Sequence, residues 1–168
     1  MKPVSFYLVT DTHYLDNKLE PGGEAFEKNM VTEQFFVKES GAIISSTFDK
    51  IIEDKEDLVG VIHAIDKAIK GMHLQDKYTV LFLGIVDTDK MKIRYINASM
   101  SDPVILSPSP NGYRMKPLTS NASLIGILDM GDIQVAEKRL FRGDTILMAT
   151  DGVSEVMDDS GVELGDTD

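Results

Sequence analysis

The 168-residue chain contains no cysteine. That excludes a disulfide framework, thiolate catalysis and any thiolate zinc site. No apolar run approaches the ~18 residues that a membrane-spanning helix needs. Bases are scarce: 17 Lys and Arg stand against 28 Asp and Glu, for a formal net charge of −11. A phosphate backbone is held by clustered cations, so nucleic acid is not the expected partner. There is no P-loop, no G-x-G-x-x-G, no G-x-S-x-G and no nucleophilic triad. The opening "MKPVSFYLVTDTHY" has one lysine and a short apolar run ending before Asp11. It reads as a strand and not as a signal peptide, so the expected location is the cytoplasm.

What the chain does have is the composition of a soluble globular domain, 42% hydrophobic and 27% charged. This length suits one medium domain, or one domain with an appendage. Val4 to Val9 reads as a buried strand. A polar loop follows, broken by Pro21-Gly22-Gly23. From about Thr32 to Lys55 the pattern is helical, with Ile44, Phe48, Ile51 and Ile52 on one face. A second helix is expected from about Asp57 to Met72. Its apolar side is Leu58, Val61, Ile62, Ile65 and Ile69, and Gly71 is its expected stop. From Tyr78 the pattern changes to strands. "YTVLFLGIVD" and "KIRYINA" flank a hairpin turn at Asp87-Thr88-Asp89-Lys90. "PVILS" and "YRMK" flank "PSPNG", whose Asn-Gly pair marks a turn. "IQVAEKRL" is the next strand, and "FRGD" turns into the apolar run "TILMAT". Helices followed by antiparallel strands imply an α+β fold of antiparallel sheet layers with flanking helices.

Asp151-Gly152 closes what reads as a buried strand, "ILMAT". An Asp there, followed by a flexible Gly, can turn its carboxylate into a metal site. It can equally cap a short helix beginning near Val153. "TDTHY" puts Asp11 and His13 two apart after a strand, on one side of extended chain, where they can share a metal ion. A polar loop is the plain alternative. His63 and His73 have no ligand-like partner and read as surface or packing residues. Arg142-Gly143-Asp144 reads as a tight turn. Asn97-Ala98-Ser99 and Asn121-Ala122-Ser123 match the glycosylation acceptor pattern, which carries no meaning in a cytoplasmic protein. Residues 151–168 hold seven acids and no base, the pattern of a solvated tail.

Two resemblances follow from these residues. "IDKAIKGMHLQDKYTVLFLGIVDTDKMKIRYINASMSDPVIL" and "NASLIGILDMGDIQVAEKRLFRGDTILMATDGVSEVMDDSGVELG" resemble the metal-dependent serine/threonine phosphatases of the protein phosphatase 2C family. The likeness is to the bacterial branch of sporulation and stress regulators, and it covers about Leu58 to Gly165. It implies a partial phosphatase 2C-like sandwich, with Asp151 as a metal ligand and Gly152 beside it. It also implies a pair of Mn2+ or Mg2+ ions with metal-bound water as nucleophile. The implied partner is a phosphoprotein substrate such as an anti-sigma-factor antagonist. "VSFYLVTDTHYLDNKLEPGGEAFEK" and "ESGAIISSTFDKIIEDKE" resemble the opening of a calcineurin-like metallophosphoesterase. There the D-x-H pair, here Asp11 and His13, supplies the first ligands of a two-metal centre. In both families two divalent metals, roughly 3.5–4 Å apart, activate water and clamp the phosphate.

The chain departs from both patterns. The phosphatase motif of Gly-Asp and a Ser-Gly-His-Gly-like turn is absent before Leu58, and Ser99-Met100 stands where Gly-His is usual. The metallophosphoesterase motifs Gly-Asp with Asn and Gly-Asn-His are absent too. The expectation is a composite chain. Residues 1–56 form a metallophosphoesterase-like segment and residues 57–168 a phosphatase 2C-like domain truncated at its C-terminus. Low or no hydrolytic activity is expected, and a non-catalytic phosphatase-like binding module is the alternative of another class.

Overall fold

Leucine, valine and isoleucine at helical spacing produce α1, which spans Leu58–Lys70 in the computed structural model. The structure describes residues 4–9, 42, 46, 57–73 and 78–150. Leu58, Val61, Ile62, Ile65 and Ile69 are buried along one face, the face expected from the sequence. Asp57 caps the start, its carboxylate accepting from Gly60 N at 2.8 Å. The helix stops at Lys70 with Gly71 as its C-cap, as expected. Gly71 stays in the right-handed region at φ −64°. The left-handed turn falls on His73 at φ 53°. Histidine tolerates that region better than most side chains, so Gly71 is not needed for it. The helix expected over 32–55 lies outside the described residues except for Ala42 and Ser46, which are helical and exposed.

Among the described residues, seven strands make two antiparallel sheets. They are β1 (Val4–Val9), β2 (Leu81–Asp87), β3 (Lys92–Ala98), β4 (Val104–Ser109), β5 (Gly112–Pro117), β6 (Ala136–Arg139) and β7 (Thr145–Leu147). The first sheet has the order β1-β2-β3-β6 and the second β5-β4-β7. The β2 side chains divide strictly by parity. Leu81, Leu83 and Ile85 join α1 in one core cluster, with Ile96 and Ala98 from β3. Phe82, Ile93 and Tyr95 face the other way and meet Ile105 of β4, with Ile146 of β7 packed against them. The layers are therefore helix, first sheet, second sheet. The fold is α+β, as expected, with the two antiparallel sheets stacked as a sandwich.

Gly84 makes room at the centre of the second cluster. It pairs with Tyr95. The Tyr95 ring stacks on Phe82 with centroids 5.4 Å apart. A Cβ on Gly84 would meet Phe82 Cε1 at 3.0 Å and Ile93 Cδ1 at 3.4 Å. Gly84→Ala is expected to cost about 1–2 kcal/mol of stability through overpacking. A urea denaturation midpoint checks it, and an unchanged midpoint would refute the crowding.

Two strands differ from the sequence expectation. β4 continues through Pro108, which pairs with Tyr113. Proline is tolerated there because β7 pairs only as far as Leu106, leaving the other edge of Pro108 without a ladder. The run before Asp151 is not a buried strand. Only Thr145–Leu147 are paired. Leu147 is 54% exposed, alternating with half-buried Ile146. The second sheet packs on the first through one face only, so Ile146 meets the core and Leu147 points away from it. Among the described residues, no helix is long and apolar enough to cross a membrane.

Candidate functional site

The connectivity brings two chain exits to one end of the sandwich. β1 and β3 both run antiparallel to β2, so they finish at the same end of the sheet, on either side of β2. Leu81 pairs with Val9 on one flank and Ala98 on the other. The chain crosses to the second sheet over residues 99–103 and opens β4 at Val104. β7 runs antiparallel to β4 and ends where β4 begins, with Leu147 opposite Val104. β1 and β7 thus end beside the same crossing, one in each sheet. Asp11 follows Val9 by two residues, and Asp151 follows Leu147 by four. Asp11, His13, Asp151 and Gly152, the four residues singled out as metal donors, lie outside the described residues.

Asn97 builds this end. It is fully buried. Its amide nitrogen donates to Met100 O and Leu118 O at 3.1 Å each, and to Asp102 Oδ1 at 3.4 Å. Its side-chain oxygen accepts from Met100 N at 2.9 Å. Its backbone N–H donates to Asn121 Oδ1 at 2.7 Å. Its carbonyl accepts from the N–H groups of Asn121 and Ala122. One side chain thereby ties the β3 exit, the crossing and the segment after β5. Asp102 adds a bond from Ser120 N at 3.0 Å. Inside a protein such a network is stronger than its members in water, provided each is satisfied.

The two Asn-Ala-Ser tripeptides lie side by side, with Ala98 and Ala122 forming a parallel bridge. Their resemblance to an acceptor pattern hid a structural pairing. Ser99 takes the left-handed region at φ 59°. Glycine is the residue at ease there. Ser99 holds the position with two bonds, donating from its hydroxyl to Ala122 O and from its backbone N–H to Ser120 Oγ. The substitution of Ser99 for the usual glycine therefore keeps the turn.

Burial pushes the Tyr95 phenol above its ordinary value; the Thr119 hydrogen bond opposes this and the Asp102 charge adds to it. On the helix side, Asp66 Oδ1 accepts from Gly126 N at 2.9 Å and Oδ2 from Lys70 Nζ at 2.7 Å. Lys70 also donates to Leu128 O at 2.7 Å. These bonds pin the segment between β5 and β6 to α1. His63 and His73 are exposed, as expected of surface residues. Arg142-Gly143-Asp144 forms the expected tight turn, closed by Asp144 N on Phe141 O at 3.0 Å.

Among the described residues, no group of three or more His, Asp or Glu side chains is placed to hold a metal ion. The family profile for stage II sporulation protein E (SpoIIE) matches residues 40–168. The chain belongs to the SpoIIE family. Solved structures show the fold this family membership implies. The SiaA-PP2C domain of Pseudomonas aeruginosa superposes with a TM-score of 0.61 at 18% identity, covering 79% of this chain and 51% of that one. The RsbU and RsbW domains of Rv1364c from Mycobacterium tuberculosis give 0.62 at 18% identity, with 78% and 35% covered. The phosphatase 2C domain and regulatory fragment of SpoIIE from Bacillus subtilis give 0.50 at 20% identity, with 72% and 34% covered. The chain thus spans about half or less of the structures it resembles. No curated protein matches it significantly. The SpoIIE match begins at residue 40, and none of these likenesses supports the metallophosphoesterase resemblance of residues 1–56.

Sequence reasoning singled out strand-exit carboxylates and missed Asn97. The available signal was the repeated Asn-Ala-Ser, since a small, turn-prone tripeptide used twice suits two close backbones.

Proposed function

We propose that the end of the sandwich shared by β1 and β7 is a metal-dependent phosphoesterase site acting on phosphoserine or phosphothreonine of a protein substrate. The observation that carries this reading is the common end of the two strands, each followed within four residues by an acid, in a chain of the SpoIIE family. Asp151, with Gly152 allowing the sharp turn, would hold the ion, joined by Asp11 and His13. Carboxylate oxygens and one imidazole suit Mn2+ or Mg2+. Such an ion supplies Lewis-acid activation of water and neutralises phosphate charge. The chain's own contribution is positional: Asn97 fixes the crossing beside which β1 and β7 end. A regulatory phosphoprotein, of the anti-sigma-factor-antagonist kind, is the proposed partner.

So small a donor set cannot organise two metals well, and turnover is expected to be slow. Titrating Mn2+ into the full chain with p-nitrophenyl phosphate tests the site. Removing a group that merely supports a metal ligand costs ~10–100-fold, so Asp151→Ala is expected to lower Mn2+-dependent turnover at least ~10-fold. A comparable loss in Asp11→Ala means that both exits feed one site. Turnover that ignores Mn2+ and survives Asp151→Ala would sink the reading.

A further inference from the structure

The β4–β5 hairpin turns through a two-residue loop, Pro110-Asn111, between the paired residues Ser109 and Gly112. Asn111-Gly112 is the only Asn-Gly step in the sequence. Pro110, Asn111 and Gly112 are all exposed. Gly112 sits at φ 115°. A Cβ placed on it would meet nothing within 4 Å. The main chain that follows Asn111 is therefore bare, with no side chain of its own and open space beside it.

Asn97 and Asn121, the other described asparagines, are arranged differently. Each precedes an alanine, whose Cβ crowds the following nitrogen. Asn97 is fully buried, and its amide nitrogen donates to Met100 O and Leu118 O. The Asn121 amide nitrogen donates to Gln134 O at 2.9 Å, and the next backbone nitrogen, that of Ala122, donates to Asn97 O at 3.1 Å. Asparagine is a chemically labile side chain, and these two are held away from that chemistry. Asn111 is restrained only by the ladder pair of Gly112 with Ser109. That pair is the last rung of the hairpin, and opening a terminal rung costs far less than global unfolding.

We propose that Asn111 is a site of spontaneous deamidation in the folded chain, giving aspartate and isoaspartate at the tip of the β4–β5 hairpin. The Gly112 backbone nitrogen attacks Asn111 Cγ. The new N–Cγ bond closes a cyclic imide as the Cγ–Nδ2 bond breaks, and the Gly112 amide proton leaves with Nδ2 as ammonia. Water then opens the ring. Addition at Cγ restores the main chain and leaves aspartate. Addition at the Asn111 main-chain carbonyl leaves isoaspartate, with the main chain rerouted through Cβ and Cγ. Water is the only co-reactant. Either product adds a negative charge next to Tyr113 and Arg114. Isoaspartate also lengthens the loop by one methylene, which unseats the register that the turn sets. The proposal does not depend on the phosphoesterase reading.

The full chain and a peptide of residues 107–116 are incubated side by side in mildly alkaline buffer, then mapped by proteolysis and mass spectrometry. The folded chain is expected to gain one mass unit at Asn111, more slowly than the peptide, while Asn97 and Asn121 stay unchanged. Methyl transfer to the same fragment by an isoaspartyl methyltransferase identifies the rerouted product. Amide exchange at Gly112 is expected to lose its protection in that product. Asn111→Gln is expected to abolish the mass gain, because its longer side chain closes a ring far less readily. An unchanged Asn111 in the folded chain after the peptide has converted would overturn the proposal. So would conversion only in urea, or equal conversion at Asn97 or Asn121.

Discussion

Asn97→Ala is expected to cost about 3–5 kcal/mol, a large share of the ~5–15 kcal/mol that stabilises a typical domain. The side chain itself contributes little apolar burial. What is lost is its bonding: Met100 N–H loses its acceptor, and Leu118 and Met100 carbonyls lose a donor. Leu118 is fully buried and Met100 nearly so, so water cannot replace the amide. Each buried group left unpaired costs roughly 1–3 kcal/mol. Asn97→Asp keeps the shape but supplies no N–H donor, and places a carboxylate beside Asp102. It is expected to do no better than alanine. Urea denaturation of the two variants measures this. A loss below about 1 kcal/mol in Asn97→Ala would mean the network is dispensable.

Asp66→Ala is expected to cost about 2 kcal/mol. Its carboxylate is the only described link holding Gly126 N–H, and it also steers Lys70 toward Leu128 O. Lys70 keeps 37% of its side chain exposed, so the ion-pair share of the loss is discounted for solvent. Asp66→Asn, which retains an acceptor for Gly126, is expected to recover about half of the loss. Hydrogen exchange at Gly126 separates the two effects. Its amide should lose protection in the alanine variant and keep it in the asparagine variant.

Much of the fold was legible because it follows from short-range periodicity. The α1 face was readable to the residue, since five apolar side chains at helical spacing leave one way to bury them. The β2–β3 and β4–β5 hairpins were marked by their turns. The β7 environment was not legible. An apolar run looks alike in a strand covered on both faces and in one covered on a single face, and only the layer packed against it decides which. The Asn97 network was illegible for another reason: it joins residues more than twenty positions apart, and no local pattern encodes such a bond. For the site, local sequence left Asp151 between a cap and a ligand. The topology then contributed what the sequence could not, an end of the sandwich reached by both β1 and β7.

The paired tripeptides also limit which modifications the folded chain can carry. Both asparagine side chains are committed as donors: the Asn97 amide to two main-chain carbonyls, and the Asn121 amide to Gln134 O at 2.9 Å. A sugar attached to either nitrogen would occupy the atom that the fold requires. Each Asn-Ala-Ser is open to an oligosaccharyltransferase only while the chain is unfolded. In a secretory compartment, modification would therefore compete directly with closure of the crossing, and a glycosylated chain would be barred from its native state. The feature that rigidifies one end of the sandwich thus makes a sugar on either asparagine incompatible with the native network.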